Sequence, residues 1–311
     1  MKEIVIPLAT GLAIFLFGMQ LMRLGLELAA QDRLRSILLR FTKTPTRGMV
    51  TGMIATALLQ SSSAVTVLTI GFVNAGMISF THTIGIILGT NIGTTITTEI
   101  LALKVEDFAV PLLLIGAVCY MIPWKGTQTT GLVLGGFGCI FLGMEAMQWI
   151  VEPLKSRGWL GAVMDVTGDN LWVGVLAGIV VTAIVQSGNA VIAMTMGFFA
   201  TGLISLPFAI AIVLGSNAGT CVTGLLAAIG SNRGAKRVAL AHLVLNVGGI
   251  LLFAPLIGWI APLAPLLSSH PAAQIAHIQT LYNLICSLLV LPFAGWFATF
   301  IDRLLPEQSR S

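Results

Sequence analysis

The sequence predicts an all-α polytopic membrane protein built from two inverted-topology repeats. Each repeat holds a re-entrant helical hairpin and a broken transmembrane helix. Three observations lead there: too few charges for a water-soluble surface, apolar segments of spanning length, and two distant stretches that repeat the same polar residues in register. Of 311 residues, 56% are hydrophobic and only 9% are charged, with a mean hydropathy of +0.97. An ordinary soluble domain is about 25% charged. Glycine is abundant, 34 of 311 residues, which suits close helix packing and broken helices in lipid. The net charge of +4 comes from basic residues scattered at segment ends, so the expected partner is the lipid bilayer and not nucleic acid. Cys119, Cys139, Cys221 and Cys286 are far apart in apolar segments with no CxxC pair, which points to neither a disulfide framework nor a zinc site.

Seven segments can cross a hydrocarbon core, which takes about 20 residues: 4–30, 78–102, 108–124, 128–152, 204–229, 238–260 and 274–302. The first is too long for a cleaved signal peptide and carries Arg23 and Glu27. Two further apolar stretches, 48–75 and 174–202, are interrupted at the middle by Gln60-Ser61-Ser62-Ser63 and by Gln186-Ser187-Gly188-Asn189. Each half is too short to span. A helical hairpin that turns round inside the membrane, its tip buried in protein or facing a wet cavity, accommodates both.

The two stretches are copies. Residues 51–94 set against 177–220, without gaps, agree at 20 of 44 positions. "FGMQLM" at 17–22 matches "LGMEAM" at 142–147. The chain therefore reads as a duplication, 1–125 and 126–260, followed by an extra C-terminal transmembrane helix and short tail, 261–311. Three crossings per repeat is an odd number, so the second copy enters upside down. Charge agrees. Segment 31–47 carries Arg33, Arg35, Arg40, Lys43 and Arg47, whereas its counterpart has Lys155 and Arg157 with two acids. The bias then reverses between 103–107 and 231–237, the latter with Arg233, Lys236 and Arg237. The positive-inside rule puts 31–47 in the cytoplasm, the N-terminus outside and the C-terminus inside. Segment 31–42 reads as a basic amphipathic helix at the membrane surface.

A second polar knot follows each hairpin: "LGTNIGTTITT" (88–98) and "LGSNAGTCVTG" (214–224). Two glycines framing an Asn suggest local unwinding, the helix stopping at Gly89 or Gly215 and restarting near Thr94 or Thr220. Four broken-helix points result. Exposed helix carboxyl ends, with hydroxyl and amide oxygens, suit a hard cation; exposed amino ends suit an anion. Inverted repeats bring such breaks together at the midplane, as in secondary transporters. The knots contain hydroxyls and amides but no carboxylate or His, which fits sodium better than a proton relay. No nucleophile–base pair or metal-ligand motif such as HExxH is present, so an enzyme is not expected.

These paired motifs resemble those of the sodium-dependent phosphate cotransporters, the type II cotransporters and their bacterial relatives. The likeness rests on the two "QSSS"-type motifs and on "GTNIGTT" and "GSNAGT", and it runs over nearly the whole chain. The second motif departs from the family pattern, with Gly188-Asn189 in place of two serines. The large loop between repeats of animal members is absent. The resemblance implies sodium-coupled uptake of inorganic phosphate by alternating access in the cell membrane, with sodium ions co-transported and no organic cofactor. Carried onto this sequence, it assigns phosphate to Ser61, Ser62, Ser63, Asn91, Thr94, Ser187, Gly188, Asn189, Asn217 and Thr220. Sodium falls to Gln60, Ser61, Thr90, Thr95, Gln186, Ser187 and Ser216. A sodium-coupled transporter of another small anion, an anion channel or an exporter are the alternatives, and assembly as a homo-oligomer stays open. His242 with Asn246, and His277 with Asn283, read as interhelical hydrogen-bonding groups. Glu99 reads as a paired or solvated carboxylate, and Glu27 and Glu152 as structural.

Overall fold

The computed structural model describes residues 2–30, 38, 42, 44–103, 108–158 and 170–306. Among them every regular element is helical. Six helices are long and apolar enough to cross a membrane. Segment 108–124 forms only a 13-residue helix, α5 below, about 20 Å long at 1.5 Å per residue; it is shorter than the span expected. The predicted surface helix 31–42 lies outside the described residues, apart from Leu38 and Thr42, as does most of the 153–172 connection.

Helix α1 (Lys2–Ala30) runs antiparallel to α6 (Lys125–Gln148). Gly11, Gly18 and Gly25 recur every seven residues and meet Gly143, Gly136 and Thr129. A Cβ at Gly18 would stand 2.7 Å from the carbonyl oxygen of Gly136. Small residues let two backbones approach closely, the usual way for helices to associate in lipid, where apolar burial drives nothing. The matching "FGMQLM" and "LGMEAM" stretches thus lie on two antiparallel helices, α1 and α6.

Between them lie α2 (Pro45–Leu59), α3 (Ser62–Asn74), α4 (Phe80–Leu101) and α5 (Ala109–Met121). After α6 and the short α7 (Val151–Ser156), the pattern returns as α8 (Leu171–Val185), α9 (Gly188–Ala200), α10 (Leu206–Gly219) and α11 (Cys221–Ala227). The bounds of α8 and α9 are those of α2 and α3 shifted by 126 residues, 171 − 45 and 188 − 62. α2 and α4 are parallel: Pro45, Met49 and Met53 lie beside Gly85, Gly89 and Gly93 in turn. The chain therefore leaves along α2 and returns along α3 before α4 begins. α8 and α10 repeat this, with Val175 beside Gly215 and Ile179 beside Gly219. Both interrupted stretches are thus helical hairpins, with arms of 15 and 13 residues.

The second expectation for these repeats fails. α4 is a continuous helix of 22 residues through 88–98. In the second copy a single residue, Thr220, separates α10 from α11, and its φ −64°, ψ −22° are still helical. The glycines of the knot serve packing instead of unwinding. A Cβ at Gly89 would stand 2.0 Å from Met49 O, and one at Gly215 would stand 2.0 Å from Val175 O. The threonines bond back into their own helix: Thr90 to Ile87 O, Thr94 to Thr90 O, Thr95 to Ile92 O and Thr98 to Thr95 O. Hydroxyls satisfied within the preceding turn need no break.

Two long helices close the fold. α12 (Arg233–Phe253) continues to Leu267 in short turns punctuated by Pro255, Pro262 and Pro265. α13 (Pro271–Val290) passes through a 3₁₀ turn at Pro292 into α14 (Ala294–Leu304). Arg237 at the start of α12 pairs with Asp302 at 3.1 Å and donates to Leu305 O, which ties the two ends together. Cys139, Cys221 and Cys286 are buried free thiols, and Cys119 is partly buried.

Candidate functional site

The hairpin tips have one design used twice. Gln60 and Gln186 adopt the left-handed conformation, φ 52° and 58°, the only non-glycine residues with positive φ among those described. Such a residue ends a helix, a place glycine usually takes. A bulkier residue held there is strained, and such strain gathers at functional sites. The Gln side chain supports the turn. Gln60 Nε2 donates to Ala57 O at 2.5 Å, and Gln186 Nε2 donates likewise to Ala183 O. Each Gln Oε1 accepts from a threonine of the helix beyond the hairpin, Thr97 Oγ1 and Thr223 Oγ1, both at 2.6 Å. Ser61 and Ser187 are extended and cap α3 and α9, their hydroxyls accepting from the N–H of Ala64 and Ala190. Each tip thus places a helix carboxyl end beside a helix amino end, with Ser62-Ser63 or Gly188-Asn189 in the first turn.

The tips differ in environment. Gln60, Ser62 and Thr97 are buried, whereas Gln186 is exposed; Gly188 and Asn189 behind it are buried. A Cβ at Gly188 would stand 2.9 Å from Thr220 Cγ2, so α10 closes on the second tip where a serine stands at the first. α11 packs on α3, with Gly224 beside Thr66, and α9 packs on α4 in the reciprocal way.

The remaining predicted residues fall into three environments. Ser216 is buried and accepts from Thr182 Oγ1 at 2.9 Å, which joins α8 to α10. The first copy lacks that bond: Thr90 turns back to Ile87 O, and the Thr56 hydroxyl, equivalent to that of Thr182, is buried without a hydrogen bond among the described residues. Asn91 points to α12, its Nδ2 donating to Asn246 Oδ1 at 2.9 Å and its Oδ1 lying 3.3 Å from His242 Nε2. Asn246 also reaches Cys221 Sγ and His242 O. His242 and Asn246 therefore bond between helices, as expected. Asn217 donates to Val213 O, and Thr220 donates to Asn217 O.

Asn283 bonds within its own helix, its Nδ2 donating to Gln279 O, but His277 bonds between helices, as expected. It lies 2.9 Å from Glu99 Oε2, and Thr280 Oγ1 donates to Glu99 Oε1 at 2.5 Å. The paired reading of Glu99 holds, with a partner 178 residues away. Glu27 pairs with Arg23 at 2.7 Å, and Glu152 with Lys155 at 3.5 Å. Sequence reasoning missed the two tip-anchoring threonines. A signal was present, because Thr97 and Thr223 correspond at the repeat offset, 223 − 97 = 126. It also missed Gln279, fully buried on α13, which no repeat could highlight.

Six helices long and apolar enough to cross a membrane, with two helical hairpins whose tips are capped alike, are those of a multi-pass membrane protein. The chain belongs to the Na+/Pi-cotransporter family, whose profile matches residues 14–149 and 156–263. It is 38% identical over 309 residues to "Uncharacterized protein YqeW" of Bacillus subtilis, covering 98% of this chain and 99% of that one. It is 29% identical to "Putative inorganic phosphate export protein YjbB" of Escherichia coli K12, covering 97% of this chain but 56% of that one. Rabbit "Sodium-dependent phosphate transport protein 2A" is 33% identical over 150 residues, 43% of this chain and 23% of that one. No solved structure matches the chain.

Proposed function

We propose that the chain is a secondary active transporter of inorganic phosphate, coupled to sodium and working by alternating access in the cell membrane. The observation that carries this reading is the duplicated tip: the same left-handed Gln, Thr anchor and Ser cap at an offset of 126 residues. The hairpins are read as re-entrant, because arms of 15 and 13 residues are each too short to span. The antiparallel pairing of α1 with α6 supports repeats of inverted topology, 1–125 and 126–260, with 261–311 added outside them. Orientation follows the basic residues. With 31–47 in the cytoplasm, 11 Lys/Arg lie inside and 4 outside, Arg23 standing within a span. The N-terminus is then outside and the C-terminus inside.

Phosphate is assigned to the amino ends of α3 and α9, at Ser61–Ser63 and Ser187–Asn189, with Asn91, Thr94, Asn217 and Thr220 lining the approach. Sodium is assigned to the carboxyl ends of α2 and α8 at Gln60 and Gln186, with Ser61, Ser187, Thr90, Thr95 and Ser216. Gly188 lets the backbone approach an anion, and Asn189 presents its amide hydrogens beside the free N–H groups. Charge makes coupling necessary. A phosphate dianion entering against about 100 mV, inside negative, costs about twice 2.3 kcal/mol, so at least two cations accompany it.

Export is the second reading, favoured by the name of the E. coli relative and its match to 97% of this chain. Radiolabelled phosphate flux into proteoliposomes of known orientation, with and without an imposed sodium gradient, tests both. Uptake that follows the sodium gradient supports the symporter. Phosphate movement indifferent to sodium overturns sodium coupling, and sodium-stimulated efflux alone reverses the direction.

A further inference from the structure

α13 lies outside both repeats, yet it packs on α4, α9 and α10. Two contacts fix its register against α4. Thr280 meets Glu99 at 2.5 Å near one end, and Ser287 Oγ donates to Leu88 O at 3.0 Å further along. The helices are therefore antiparallel, and the α13 segment between these contacts faces the stretch of α4 that holds Asn91 and Thr95. On the same helix Ile275 and Ala276 share one apolar cluster with Ala190 and Ala193 of α9, the helix whose first turn is the second tip. Gln279 follows Ile275 by one turn, and Asn283 follows Gln279 by another, on one helix face.

Gln279 is 0% exposed and Asn283 is 1% exposed. Asn283 Nδ2 donates to Gln279 O at 3.1 Å. Its Oδ1, and both Oε1 and Nε2 of Gln279, make no hydrogen bond among the described residues. Asn189 Oδ1, in the first turn of α9, is buried in the same unpartnered condition. Buried polar side chains nearly always have partners, and an orphan calls for a functional explanation. Here the amide oxygens belong to two helices that pack on each other. They are neutral oxygen donors with no carboxylate among them, which suits a monovalent hard cation better than calcium or magnesium, whose sites draw on carboxylates. Helix α13 carries no copy of this pair in either repeat, so the feature is asymmetric.

We propose that Gln279 and Asn283 of the C-terminal helix hold a sodium ion through their amide oxygens, together with Asn189 Oδ1. This rests on the reading of the chain as sodium-coupled and adds to it a ligand set from outside the duplicated core. A site completed by α13 couples cation occupancy to the position of that helix against α9.

The test uses purified full-length protein in detergent, without phosphate. Sodium binding is read by radioactive sodium and by the rise in melting temperature as sodium chloride replaces choline chloride. Gln279→Leu and Asn283→Leu put an apolar side chain in place of each amide and remove the oxygens. Each is expected to melt in choline chloride at or above the wild-type temperature, since an orphaned polar group is gone, to bind about one sodium ion fewer per protein, and to gain less melting temperature from sodium. Asn283→Asp, which keeps an oxygen, is expected to retain sodium binding. If wild type binds sodium and both Leu variants bind it equally well, the amides hold water and the proposal is overturned, while sodium coupling stands. If wild type binds no sodium, sodium coupling itself falls and this site with it.

Discussion

Replacing Gly89 by alanine tests the account of the second polar knot. The new Cβ would stand 2.0 Å from the carbonyl oxygen of Met49, where ordinary contact begins at 3.4 Å. The obstacle is backbone, so relief requires α2 and α4 to separate by roughly 1.4 Å, the difference between those two distances. Overpacking of this kind costs about 1–3 kcal/mol. Gly71 is the control. It also sits within a helix, α3, and a Cβ there meets nothing within 4 Å. Gly71→Ala is expected to gain about 0.5–1 kcal/mol from helix propensity. The two variants should therefore differ by about 1.5–4 kcal/mol. Heated samples in detergent, scored by the fraction still eluting as folded protein on size exclusion, measure the gap. Gly215→Ala, whose Cβ would stand 2.0 Å from Val175 O, should behave as Gly89→Ala does. If Gly89→Ala and Gly71→Ala melt together, the glycines of the knot do not hold the helices close, and an unwound segment regains its case.

Thr97→Val leaves the buried Gln60 Oε1 without its donor and should destabilise the protein by about 1–3 kcal/mol, whereas Thr97→Ser keeps the bond and should melt near wild type. Thr223→Val should cost less, because Gln186 is exposed; equal losses at the two positions would show that burial of the tip does not set the cost. Gln60→Ala should raise the sodium concentration for half-maximal phosphate flux at normal membrane levels, and an unchanged sodium dependence would confine Gln60 to capping α2. In a background lacking the four native cysteines, Thr44→Cys and Ser231→Cys should be labelled only from the cytoplasmic side and Ser156→Cys only from outside. Labelling of Thr44→Cys and Ser231→Cys from opposite faces would remove the inverted topology.

The sequence by itself determined the membrane class, because 9% charge cannot cover a water-soluble surface. It also determined the hairpins. Four polar residues in an apolar run leave two arms too short to span, and the chain turns at Gln60 and at Gln186. The duplication was legible because matching residues sit at a constant offset. What the sequence could not decide was the work of the glycines. A glycine next to an Asn is compatible with a break or with close packing, and only the backbone of α2 lying beside Gly85, Gly89 and Gly93 selects packing. Nor could it choose among the partners of a polar side chain. Thr90 bonds back into its own helix, whereas Ser216, its counterpart in the second copy, accepts from Thr182 across two helices. His277 stands six residues from Asn283 and pairs with Glu99, 178 residues away. Local pattern fixes which residues share a helix face; which face meets which neighbour is set by the packing of α12 and α13 against the duplicated core. Gln279 is the clearest instance, ordinary in sequence and conspicuous only once the fold buries it without a partner.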